Sequence, residues 1–327
     1  MQEKSQGKDF RDFRNFRMTV LGREISDHAL KQIAATTNPL DIEMVETRWL
    51  TNQPTGEHGY GCVEFLVRTS FEHPENLREA LLSLAETLRI DIVILPADRQ
   101  PRIPKLVAFD MDSTLIEGEV IDELAKLAGV GEQVSAITAA AMRGELPFQE
   151  SFRRRVALLK GLSEAHALSL LGKIPLMPGA ERLFRALNAL SIRTVILSGG
   201  FTFFGADLER RLGIAEVHAN VLDIGDGQIT GEIRGQIVDG ARKAELLGQI
   251  AEREGIARSE VAAVGDGAND LPMLGLAGLG VAFHAKPLVR ASAPAAVSHV
   301  GLDGLLYLFG LSDDQQGQLL ANARAAK

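Results

Sequence analysis

Along the first hundred positions the apolar residues fall into two spacings. Met18 to Leu21 is a short apolar strand, and Asp27 to Thr36 sets Leu30, Ile33 and Ala34 at helical spacing behind Asp27 as N-cap. Ile42 to Leu50 and Tyr60 to Ser70, with Val, Thr and aromatic residues, flank the polar stretch Thr51 to Gly59, a hairpin pattern. Pro74 to Ile90 places Leu77, Leu81, Leu82, Leu84, Ala85 and Leu88 on one helical face, and Asp91 to Leu95 is a last strand. The predicted order is β-α-β-β-α-β. Pro96, Pro101 and Pro104, set among Asp98, Arg99 and Arg102, form a stiff polar connector. The expected division is a domain over 1–96, a linker over 97–104 and a second domain over 105–327.

Beyond the connector the pattern changes. Lys105 to Asp110, Thr194 to Ser198 and Val261 to Gly265 read as buried strands that end in polar or glycine turns, with helical patterns over Ala180 to Leu190 and Arg242 to Glu254. Strands alternating with helices predict a doubly wound, Rossmann-like parallel sheet, whose function collects at the carboxyl ends of its strands. A long insertion at about 117–173 interrupts them with helical patterns over Val120 to Leu127, Val134 to Met142, Phe148 to Leu159 and Ala165 to Leu171, a helical cap over the strand ends. Val217 to Val238 reads as a hairpin beside the core, and Gly301 to Lys327 as a structural segment. The β-α-β-β-α-β order of the first domain is the ferredoxin-like pattern.

Composition narrows the partners. With 46% apolar and 24% charged residues, the chain reads as globular rather than disordered, and no stretch approaches the apolar length that crosses a bilayer. Met1 to Arg17 lacks the apolar run of an export signal. With 35 basic against 43 acidic side chains, the net charge of −8 speaks against a nucleic-acid or anionic-membrane surface. Cys62, the only cysteine, can form neither an internal disulfide nor a thiolate zinc cluster. The expected location is a reducing cytoplasm, and any metal falls to oxygen ligands.

The first strand of the second domain runs into Asp110-Met-Asp112-Ser113-Thr114, and the third ends in Gly265-Asp266-Gly267-Ala268-Asn269-Asp270. Asp110 and Asp112 alone could cap the next helix. With the second acidic cluster they point to Mg2+, a hard cation that prefers oxygen. Asp110-x-Asp112-Ser113-Thr114, then Ser198-Gly199-Gly200, then Lys243, then Gly265-Asp266-Gly267-x-Asn269-Asp270 resembles the ordered four-motif signature of the haloacid dehalogenase (HAD) phosphohydrolases, over Lys105 to about Val300. The resemblance implies a nucleophile at Asp110 and a general acid/base at Asp112. It implies a magnesium ion held by the Asp110 carboxylate, the Asp112 carbonyl and Asp266, and phosphoryl oxygens held by Ser198, Gly199, Lys243 and Asn269. Asp270 is left to orient Lys243 or a metal-bound water.

Continuation through Glu119 into Val120-Ile-Asp-Glu-Leu-Ala125, with Met142 and Phe148-Gln-Glu-Ser-Phe-Arg-Arg-Arg155 in the cap, is similar to the phosphoserine phosphatase family. That likeness implies Glu119 on the substrate ammonium, Arg155 on its carboxylate, and Met142 and Phe148 as a shield against water. The expected activity is hydrolysis of O-phospho-L-serine to L-serine and phosphate. The competing readings are a HAD phosphatase for another small phosphate, a phosphotransferase with homoserine as acceptor, and an amino-acid-sensing regulator with a relic phosphatase half. The first domain looks like an ACT-type module, which implies amino-acid binding or a homodimer paired through it.

Overall fold

The computed structural model describes residues 14–38, 42–52, 59–69, 75–99 and 102–325. Most of the Thr51 to Gly59 turn, Ser70 and Pro74 at the expected element ends, Pro101 of the connector, the first thirteen residues and the last two lie outside the described residues. The chain forms two compact units, 1–100 with 311–313 and 101–310 with 314–327.

In the first unit β1 (Arg14–Gly22), α1 (Asp27–Thr37), β2 (Ile42–Trp49), β3 (Gly61–Thr69), α2 (Glu75–Leu88) and β4 (Asp91–Pro96) follow the expected order. The antiparallel sheet runs β2-β3-β1-β4, the ferredoxin-like arrangement, with Val20 opposite both Val63 and Ile92. Phe16, Met18 and Val20, two residues apart, enter one core with Ile33, Phe65 and Leu81. The cap of α1 is Ser26 rather than Asp27. The Ser26 hydroxyl accepts from Ala29 N at 3.2 Å, and Asp27 stands in the first turn, where its charge suits the helix amino end.

The second unit contains β5 (Leu106–Phe109), the cap helices α3 (Val120–Leu127), α4 (Gly131–Met142), α5 (Phe148–Ala157) and α6 (Glu164–Leu168), then α7 (Ala180–Ala189), β6 (Arg193–Phe201), α8 (Thr202–Leu212), β7 (Glu216–Gly225) and β8 (Gln228–Arg234). It continues through α9 (Gly240–Arg253), β9 (Val261–Gly265), α10 (Leu271–Leu276), β10 (Leu279–Phe283), α11 (Pro287–Ser292), β11 (Ala295–Val297), α12 (Leu305–Leu308) and α13 (Asp313–Ala325). The sheet order is β11-β10-β9-β5-β6-β7-β8, parallel except for the β7–β8 hairpin. Every residue of β5 is buried, the unbroken apolar run of a strand covered on both faces. Phe109 pairs with Ile196 on β6 and Val264 on β9, so the three motif-bearing strands are neighbours although their ends lie up to 156 positions apart (110 to 266).

The Gly-rich stretch from Leu271 to Phe283 holds α10 and β10, which sequence reasoning did not separate. A Cβ on Gly280 would run into the carbonyl of Leu274, so the strand approaches the helix backbone more closely than any side chain permits. Gly280→Ala should therefore lower the unfolding free energy by about 1–3 kcal/mol, read from urea denaturation of the purified chain.

Candidate active site

Asp110 directly follows β5. Its N–H donates to Val264 O at 2.9 Å, extending the ladder, and its Oδ1 accepts from Met111 N at 2.7 Å. The chain then folds around the Met111 carbonyl, which accepts from the N–H groups of Thr114, Leu115 and Ile116, with Ser113 at φ +55°. This turn brings Asp112 back to the start of α3, where its Oδ1 accepts from Val120 N at 3.2 Å. Asp112 is therefore a helix-capping group and a site group at once. At the end of β9, Asp270 Oδ2 accepts from Gly267 N at 2.9 Å, and Asp266 Oδ1 accepts from the Thr114 hydroxyl at 3.1 Å. A Cβ on Gly265 would collide with the Asp270 carboxyl, which explains glycine there.

Lys243, one turn into α9, is fully buried. Its Nζ lies 2.9 Å from Asp110 Oδ2 and 2.7 Å from Asp270 Oδ1. Burial alone would lower its pKa, but the two carboxylates hold it above the usual lysine value. Ser198 is buried in β6, three residues before its end, its Oγ accepting from Gly200 N at 2.9 Å. The Gly199 carbonyl accepts from Asn220 Nδ2 at 2.8 Å, and Asn220 Oδ1 accepts from Val238 N at 2.9 Å. Asn220 thus joins the last residues of β6 to the approach into α9. Asn269 sits beside the start of α9, where a Cβ on Gly240 would touch its carbonyl.

The cap supplies the other face. Glu119 precedes α3, its Oε1 accepting from the Ser113 hydroxyl at 3.4 Å. Phe148 stands over Gly199, with its Cζ 3.4 Å from where a Cβ would be. On α5, Arg153 and Arg154 face solvent and Arg154 pairs with Glu150, whereas Arg155 is half-buried in the field of Glu119, Asp122 and Asp112. Met142 is 61% exposed and accepts a contact from Lys286 Nζ at 3.6 Å, so it stands on the rim rather than over the strand ends.

Residues 104–278 match the haloacid dehalogenase-like hydrolase family. A phosphoserine phosphatase of Streptomyces coelicolor is 42% identical over 305 residues, 93% of this chain and 73% of the relative. One from Archaeoglobus fulgidus is 44% identical over 243 residues, 74% of this chain and 71% of its own. The solved structure of a probable phosphoserine phosphatase from Vibrio cholerae superposes with a TM-score of 0.72 at 34% identity, covering 92% of this chain and 88% of that one. The chain belongs to the phosphoserine phosphatase family.

For a phosphatase of this family the electrostatics of the strand ends have a plain meaning. Carboxylate oxygens of Asp110, Asp266 and Asp270 lie within 4.8 Å of one another. Burial, then Asp110 and Glu119, push Asp266 up to about 7; burial and Asp110 push Asp270 up to about 7 against the pull of Lys243. Asp112 is raised well above the usual range by burial, Glu119 and Asp110. Such crowding suits a hard divalent cation with oxygen ligands. Sequence reasoning quoted Thr114 without a task and missed Asn220 and the pair Gln149–Asp239. Gln149 Nε2 on α5 donates to Asp239 Oδ2 at 2.6 Å, and Asp239 caps α9 by accepting from Arg242 N at 3.0 Å. No motif marked them, because each acts through a hydrogen bond that only the fold brings together.

The raised carboxyl groups make a linkage prediction. A carboxyl group whose folded pKa exceeds its unfolded value binds protons preferentially in the folded state, so its contribution is present at low pH and is lost as pH rises through the folded value. The melting temperature of metal-free protein should fall between pH 5 and 8. Because a cation displaces those protons, the thermal shift on adding a divalent metal chloride should be larger at pH 8 than at pH 5.5, and Asp266→Asn should remove most of it.

Proposed function

We propose that the chain hydrolyses O-phospho-L-serine to L-serine and inorganic phosphate, with magnesium as its cation. The observation that carries this reading is a pair of differently held cations: Lys243 locked between Asp110 and Asp270 on the core, and Arg155 half-buried on the cap in the field of Glu119, Asp122 and Asp112, with its Nε unpartnered among the described residues. The first suits the phosphoryl group and the second the carboxylate of the same small molecule.

In the proposed reaction Asp110 attacks phosphorus in line, the bond from phosphorus to the serine oxygen breaks, and an aspartyl phosphate forms. Asp112, whose pKa is raised by burial and its acidic neighbours, gives a proton to the leaving serine oxygen. As a carboxylate it then takes a proton from the water that attacks the aspartyl phosphate, releasing phosphate and restoring Asp110. Ser198, the Gly199 N–H, Asn269 and Lys243 hold the phosphoryl oxygens, with Lys243 aimed by Asp270. Magnesium, when bound by Asp110, Asp266 and the Asp112 carbonyl, neutralises charge on the phosphoryl oxygens. Glu119 receives the substrate ammonium and Arg155 its carboxylate, while Phe148 over Gly199 shields the reaction from water.

The first unit we read as an ACT-type module over 1–96, joined by 97–104 to a catalytic domain over 105–327 and able to pair two copies. Light scattering of full-length protein against a chain starting at residue 97 tests the pairing. Cys62, buried and the only cysteine of the chain, supports a reducing cytoplasm.

A phosphate-release panel over phosphoserine, phosphothreonine and phosphoglycolate, with and without homoserine, tests the substrate and separates hydrolysis from transfer. Phosphoserine should lead the panel. Asp110→Asn should remove turnover, and retained activity would remove Asp110 from the nucleophile's role. Arg155→Ala should raise KM for phosphoserine about 10- to 100-fold, the scale of a lost charge-assisted hydrogen bond, and leave 4-nitrophenyl phosphate nearly unchanged.

A further inference from the structure

Arg155 lies in the field of Glu119, Asp122 and Asp112 but makes no ion pair with any of them. Among the described residues its Nε has no hydrogen-bond partner, and the acid on its helix, Glu150, is taken by Arg154. What lies against it is a ring. The guanidinium carbon stands 5.8 Å from the centroid of Phe152, three residues earlier on the same face of α5. Phe152 is itself clamped. Its ring stacks on Phe148 at 6.0 Å, nearly parallel, and on Phe201 at 5.9 Å, and only 2% of the residue is exposed. Phe201 ends β6, three residues beyond Ser198. A continuous line of rings therefore runs from the strand end that carries Ser198 and Gly199 to the guanidinium on the cap.

A ring holds a guanidinium differently from a carboxylate. A carboxylate partner would neutralise Arg155 and occupy the two donors that a substrate carboxylate needs. A ring attracts the cation through its face, restricts its swing, and leaves the N–H groups and the charge available. The contact also fixes the span between the two ends of the site, because Phe152 touches both Arg155 and the residue that terminates β6.

We propose that Phe152 is a positioning and specificity-determining residue. It sets the plane of Arg155 and its distance from the phosphoryl-binding end of β6, so that a carboxylate is accepted at one separation from the phosphate. This rests on the reading of Arg155 as the carboxylate partner.

The test begins with wild type and Arg155→Ala on phosphoserine and 4-nitrophenyl phosphate. Loss of the selective KM effect there would end the reading of Arg155 itself, before Phe152 is touched. Given that effect, Phe152→Leu and a second variant with trifluorinated phenylalanine placed at 152, which keeps the ring's shape and drains its face of charge, should each raise KM for phosphoserine about three- to tenfold. Both should leave kcat within about twofold and leave 4-nitrophenyl phosphate kinetics unchanged. In the Arg155→Ala background neither should raise KM further, since the group they position is gone. The fluorinated variant decides the matter if Phe152→Leu folds poorly. An unchanged KM in that variant, equal effects on both substrates, or full additivity with Arg155→Ala would overturn the proposal and leave Phe152 as cap packing.

Discussion

Everything at the strand ends depends on one buried ammonium. Lys243 has no contact with solvent, and an unpaired charge in that position would be too costly for the fold to tolerate. It is satisfied by Asp110 from the strand β5 and Asp270 from the turn after β9. Those two bonds tie α9 to the centre of the sheet and hold the two acidic motifs at a fixed separation. Removing any one of the three groups leaves a buried charge without its partner, so the same contacts that aim the site also stabilise its scaffold. Around this core, among the described residues, the carboxylates of Asp110, Asp112, Asp266, Asp270 and Glu119 lie in the field of two cations, Lys243 and Arg155. The excess explains why burial and mutual repulsion raise Asp112, Asp266 and Asp270 together.

Sheet order turns distant sequence into one cluster. With β5 between β6 and β9, the aspartates, Ser198 and Asp266 emerge from adjacent strands at the same edge. The cap is not attached by its two crossing points alone. Gly161 N donates to Ile229 O at 2.9 Å, Ile229 N to Leu162 O at 2.8 Å, and Glu164 N to Gly227 O at 2.9 Å, so the chain after α5 is bonded to β8 and its turn. On the side nearer the site the link is Gln149 to Asp239, the residue that caps the helix of Lys243. The β7–β8 hairpin thus acts as a platform that sets the height of α5, and with it Phe148, Phe152 and Arg155, above the strand ends.

Much of this was legible in the residues, and the exceptions have causes. β9 and α3 lie where their apolar runs and flanks placed them, because nothing in their surroundings competes with the local pattern. β6 runs on to Phe201 because Gly199 and Gly200, read as a turn, stay extended through a register shift against β7. α8 was missed because it follows β6 directly, with Phe201 in place of a polar N-cap. β10 was missed because packing against α10 demands Gly280, which weakens the strand pattern. In the site, the acidic motifs were legible because repulsion among clustered aspartates is a local statement. The Asn220 bridge is a property of the assembled fold and left no local signal. Met142 shows the opposite case: an apolar residue in a cap helix looks like a cover, yet it faces solvent beside Lys286.

The two cations of the site are handled in different ways, and on the proposed reading the difference sets selectivity. Lys243 is saturated by protein carboxylates, so it stays charged and in place whatever occupies the cleft. Arg155 is desolvated by its surroundings, lies in the field of Glu119, Asp122 and Asp112 and against the ring of Phe152, and keeps an Nε without a hydrogen-bond partner among the described residues. A ligand that brings a carboxylate completes it. On that reading a phosphate ester without one leaves a desolvated guanidinium lacking this partner, and the free-energy cost of the mismatch falls on the wrong substrate alone. Discrimination then needs no added contact to the phosphate, where all candidate substrates are alike. On the proposed reading it comes from a cation whose Nε has no partner among the described residues.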